Sequence, residues 1–147
     1  MYNVDSLAKI SFSTVVGIVG GMISAALGGW DGNIIALIAL MCIDFAMGLL
    51  IAIFWGNSQK SKNGGLSSSA CWKGIIKKFC TLLIVAVAVQ ADRLLGSNFV
   101  RDAVIIAFCT SEIISICENA ALMGILPEGV HKIFEKVIDL LKGEDVK

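Results

Sequence analysis

Residues 32–59 read GNIIALIALMCIDFAMGLLIAIFWGNSQ: 28 positions with a single charge, Asp44. A helix needs about 20 apolar residues to cross the roughly 30 Å hydrocarbon core of a bilayer, and this run is long enough. Three further stretches repeat the pattern. Ile10–Trp30 has 21 residues and no charge. Ala103–Pro127 has 25 and only Glu112 and Glu118. Phe79–Ala91 has 13 uncharged residues and reaches spanning length if Lys77 and Lys78 snorkel to the headgroups. In 147 residues, 56% are hydrophobic and 16% charged, below the roughly 25% of soluble domains. Burying four such helices all round in a soluble body this small would leave too little polar surface to cover it.

The expected fold is therefore all-α: a membrane bundle with spans about 10–30, 33–55, 75–95 and 103–126, and a tail from 127 to 147. Three spans remain if the third is only re-entrant. The first run is longer than the roughly 7–15 apolar residues of a signal sequence and follows a nearly neutral flank, so it reads as a retained anchor. Twelve Lys+Arg balance twelve Asp+Glu, which argues against a basic nucleic-acid binder. Between spans two and three, Gly56–Lys78 carries five lysines and no acid. Positive loops stay in the cytoplasm. Both termini then fall inside, and ten of the twelve Lys+Arg collect there.

Within that loop, NSQKSKNGGLSSS (57–69) is flexible by composition. Ser68 or Ser69 can cap the helix beginning near Cys71. Lys73, Lys77 and Lys78 form an interfacial set suited to anionic headgroups. Gly124 and Pro127 punctuate the start of a tail helix. There Val130, Ile133, Phe134, Val137, Ile138 and Leu141 recur at helical spacing. This stripe suits the membrane surface, the bundle or another copy of the chain.

The polar residues inside the spans carry the chemistry. Asp44 and Glu112 each lie about 15 Å into their helix, where an acid costs at least ~2.5–3.5 kcal/mol. With no Lys or Arg expected at that depth, the acids should be protonated, paired with neutral groups, or wet. At about 100° per residue, Ser111, Glu112, Ser115, Glu118 and Asn119 share an arc of about 120°. Such a stripe glues helices together or lines water. Gly17, Gly21, Ala25 and Gly29 repeat every fourth position, a spacing that lets membrane helices approach closely. Gly48, one turn after Asp44, offers the same. The five cysteines include no CxxC pair, and the lone His131 is on the tail. No metal, cofactor or catalytic set is legible.

These residues resemble the toxin secretion/phage lysis holins of Gram-positive bacteria and their phages. The resemblance runs from about Asp44 to Leu141. Its pieces are Asp44, Gly48, Leu49 and Leu50; the Ser-rich loop into Trp72–Lys78; Asp92; and Ser111-Glu112-Ile113-Ile114-Ser115-Ile116-Cys117-Glu118-Asn119. The family pattern there is Asn-Glu-x-x-Ser-Ile-x-Glu-Asn, and Ser111 replaces its first amide. Span one matches no signature. The resemblance implies a non-enzymatic protein without a cofactor. Such a protein forms homo-oligomers in the cytoplasmic membrane and opens lesions through which a peptidoglycan hydrolase or a large toxin leaves. A small four-span transporter or ion channel is the other class with so many spans in so short a chain. Such exporters place the essential acid in the first span, which has none here.

Overall fold

The computed structural model describes residues 4–56, 65–130, 132, 133 and 136. It is helical, with no strand among the described residues. Helix α1 spans Val4–Ala26, α2 Gly32–Leu50, α3 Ser68–Leu95 and α4 Phe99–Leu122. A π-helical segment, Ile51–Trp55, continues α2. The segments Gly32–Trp55 and Ser68–Leu95 are long and apolar enough to cross a membrane. Only 28% and 22% of their most apolar windows are buried within the chain, so most of each apolar surface is uncovered. In α1 the apolar part, Phe12–Ala26, is shorter. Helix α4 runs for 24 residues but includes Arg101, Asp102, Glu112 and Glu118.

Each helix stops where its sequence supplies a reason. After α1, Gly28 and Gly29 take φ of 80° and 104°. The Gly29 amide then donates back to the Ser24 carbonyl at 2.8 Å, closing a glycine C-cap. A Cβ at Gly28 would lie 2.8 Å from Arg101 Nε, so space as well as torsion requires glycine. Asp31 caps α2 by accepting from the Ile34 amide at 3.0 Å. Gly56 and Gly96, left-handed at 59° and 64°, end the π segment and α3. Helix α3 starts at Ser68, earlier than the span predicted from residue 75. Its N-cap is Ser67, not Ser68 or Ser69, and the Ser67 hydroxyl makes no capping bond.

Helix α4 packs on both α2 and α3, while α2 and α3 touch more lightly. The core is a plug of Ile34, Leu37 and Met41 from α2, Val85 from α3 and Ile105 from α4, joined by Leu27. The steps 34, 37, 41, 44 and 81, 85, 88, 92 put one stripe of each helix inward. Helix α1 stands away from this packing.

One end of the bundle is tied by polar groups. The buried Asp92 carboxylate accepts from Ser97 Oγ at 2.6 Å, Val100 N at 3.0 Å and Arg101 N at 2.8 Å, and so supplies the α4 N-cap from α3. Arg101, predicted in a loop, lies in the first turn of α4 and is buried. Its Nε donates to the Leu27 carbonyl at 2.7 Å, and Nη1 to Asp31 at 2.7 Å and Asp102 at 3.2 Å. Arg93 Nη2 donates to the Ala25 carbonyl at 2.9 Å. Two arginines thus bind the α1–α2 turn to the α3–α4 turn.

The tail is helical at 128–130, with Val130 and Ile133 exposed. Phe134, Val137, Ile138 and Leu141 of the expected stripe lie outside the described residues, as do 57–64 of the loop.

Two outcomes are expected at the tied end. Asp92→Ala strands three donors and should lower stability by about 1–3 kcal/mol, measured by unfolding in detergent micelles. The Arg101 hydrogen bond, then the Ile34 amide, hold the Asp31 carboxyl below its usual 3.8. Its contribution is present above that value and fades as pH falls through the lowered one. Because Asp31 is half exposed, less than about 1 kcal/mol is involved. Asp31→Asn should flatten the acid limb of the same unfolding titration.

Candidate functional site: a lysine between two acids

Halfway along the bundle, α2, α3 and α4 each turn a charged side chain inward. Lys78 of α3 places its Nζ 2.9 Å from Asp44 Oδ2 and 2.6 Å from Glu112 Oε2. Ser115 Oγ donates to Asp44 Oδ1 at 2.6 Å, and Asn119 Nδ2 to the same oxygen at 3.0 Å. The side chains of Lys78, Asp44 and Glu112 are 17%, 7% and 14% exposed, so the group is largely withdrawn from solvent within a single chain.

This corrects the expectation that no cation reaches the depth of the acids, and that Lys78 snorkels away. Helix α3 begins at Ser68, so Lys78 already lies about 15 Å along it at 1.5 Å per residue. It is also in step with Thr81, Val85, Ala88 and Asp92, the buried stripe of α3. Lys77, about 100° around the helix, stays exposed, as does Lys73. Of the predicted polar face, Glu112, Ser115 and Asn119 meet Asp44 or its lysine. Ser111 and Glu118 are exposed and only line the cavity beside the cluster.

That cavity has a volume of 540 Å³ and runs from Leu66 and Ser67 down to the cluster. Gly48 opens onto it, and a Cβ there would meet nothing within 4 Å. The close approach occurs one turn away on the partner helix, where a Cβ on Gly74 would sit 3.4 Å from the Phe45 ring. A Cβ on Gly17, Gly21 or Gly29 would likewise meet nothing within 4 Å, and Ala25 is exposed. Within one chain Gly17, Gly21 and Gly29 leave open space where a side chain would point, and Ala25 meets α3 through its carbonyl, which accepts from Arg93. Among the described residues, no three His, Cys, Asp or Glu side chains group to hold a metal ion.

The arrangement clamps helices. Asp44, Lys78 and Glu112 come from three different elements, so α2, α3 and α4 are held in one register. Lys78→Met leaves two acids without their cation and should destabilise the bundle by about 3–5 kcal/mol. Pairing it with Glu112→Gln should recover part of that loss. A double-mutant cycle on the detergent-solubilised protein measures the coupling.

The model of the bacteriophage holin family matches residues 21–143. An uncharacterized protein of Listeria monocytogenes is 35% identical over 127 residues, 86% of this chain and 85% of the relative. One of Listeria innocua is 34% identical over the same shares. An uncharacterized 14.9 kDa protein in the nagH 3' region of Clostridium perfringens is 32% identical over 122 residues, 81% of this chain and 86% of that one. No solved structure matches. With 123 consecutive residues inside the family match, this chain belongs to the bacteriophage holin family.

Proposed function

We propose that this chain is a holin that oligomerises in the cytoplasmic membrane and opens lesions releasing a cell-wall hydrolase or a large toxin. The observation that carries the reading is the inward-facing Asp44–Lys78–Glu112 cluster in a bundle whose outer faces are apolar. Ile35, Ile43, Ile53, Leu83, Ile84 and Val87 are all exposed, a surface suited to lipid. A charged group is retained inside it at substantial cost.

Four crossings with both termini cytoplasmic fit the arginine ties. These bring the 27–31 and 96–98 turns together at one end, while the end of the π segment at Trp55 and the start of α3 at Ser68 lie at the other. The basic loop then lies inside. In the closed state, Lys78, Ser115 and Asn119 satisfy the two acids, and the helices hide a face that water would otherwise solvate. Growth of the oligomer gives that face an alternative. If the clamp opens, Asp44, Lys78 and Glu112 turn toward water, where separated charges are inexpensive, and with the already exposed Glu118 become the rim of the lesion. The apolar faces stay in lipid throughout. The chain needs no catalysis for this; the balance between paired and hydrated charges sets the two states.

The test is a lysis assay in cells expressing a cytoplasmic peptidoglycan hydrolase with this chain. Lys78→Met and Glu112→Gln, at membrane levels equal to wild type, should shift the onset of lysis. Loosening the clamp should advance it. Unchanged onset in both variants would reject the cluster's role, and absence of hydrolase release by wild type would reject the holin reading.

A further inference from the structure

The 540 Å³ cavity beside the cluster is within the about 300–1,000 Å³ range of small-ligand sites. It opens where α2 gives way to its π segment and α3 begins. One wall is apolar: Phe45, Leu49 and Ala52 of α2 and its extension, and Ile114 of α4. The opposite wall is the start of α3, with Ser67, Lys73 and Lys77. Lys78 at the floor is already engaged by Asp44 and Glu112. Lys73 and Lys77 enter no salt bridge among the described residues. The α3 N-terminus has no side-chain cap from Ser67, and Ser67, Ala70 and Cys71 at this positive end of the helix line the same opening. From residue 56 to residue 91 the chain contains five lysines and no acid.

We infer that this cavity is a binding site for one anionic phospholipid, its phosphate on Lys73, Lys77 and the first α3 amides, and an acyl chain along Phe45, Leu49 and Ala52. A soluble phosphate would leave the apolar wall wet. A lipid covers it, and the two helices flanking the opening are the two whose length and composition suit a membrane. Glu118 on the α4 wall repels the phosphate and holds it to the α3 side. The site needs the chain to be in a bilayer; it does not depend on lesion formation.

Trp72, 65% exposed and adjacent to Lys73, reports on the site. The full-length Trp30→Phe/Trp55→Phe protein is reconstituted in phosphatidylcholine vesicles containing brominated phosphatidylglycerol or, at the same mole fraction, brominated phosphatidylcholine. Quenching of Trp72 should favour phosphatidylglycerol. Each of Lys73→Gln and Lys77→Gln should lower that preference about fivefold, and Glu118→Gln should raise it. The decisive variants are Gly48→Leu and Ala52→Leu, which fill the cavity and keep both lysines. A Cβ at Gly48 would meet nothing within 4 Å, so a side chain there starts into open space. Either filler should abolish the preference. No preference in the wild type, or a preference that survives both fillers and falls only with the lysines, overturns the site and leaves diffuse surface attraction.

Discussion

An ammonium group within 2.9 Å of one carboxylate and 2.6 Å of another, in the middle of an apolar bundle, constrains everything around it. Removing three charged groups from water costs several kcal/mol each, and mutual attraction offsets this only when the geometry is good. The required geometry sets the depth of α2, α3 and α4 relative to one another. A slide of one turn, about 5.4 Å, would break every bond in the cluster. The interaction therefore fixes register more than it adds stability, which the apolar plug of Ile34, Leu37, Val85 and Ile105 supplies below it.

The opposite end follows a different logic. There Arg101 and Asp92 work mainly on the backbone: Asp92 accepts from two α4 amides, and Arg101 donates to the Leu27 carbonyl. The tied end holds turns, while the central cluster holds helix faces. Between them lies the apolar plug, and the cavity lies on the far side of the lysine clamp. An assembly so divided can loosen at the clamp while its turns remain bound.

Much of this was legible in residue order. The acid positions 44 and 112, and the 112–115–119 step, follow from helical periodicity alone, because span boundaries there are set by long uncharged runs. Lys78 escaped because hydropathy counts a charge at the edge of an apolar run as its end. The helix does not end there; it extends back to Ser68. The readable signal was the spacing 78, 81, 85, 88, 92, which puts the lysine on the stripe that α3 buries. Lys77, about 100° around the helix, falls off that stripe and stays exposed. Arg101 was missed for a related reason: Arg101-Asp102 reads as a loop, yet α4 starts at Phe99. The roles of Ser111 and Glu118 depend on which side of the stripe faces the partner helices, and one helix's periodicity does not fix that.

Helix α1 and the turn after it meet the arginines through the main-chain oxygens of Ala25 and Leu27. Every amino acid carries that oxygen. These two bonds are therefore blind to side chains, apart from the glycine that lets Arg101 come near; the side-chain anchor is Leu27, just beyond the helix, in the apolar plug. The protein can exchange almost any apolar residue along most of this segment without disturbing what anchors it.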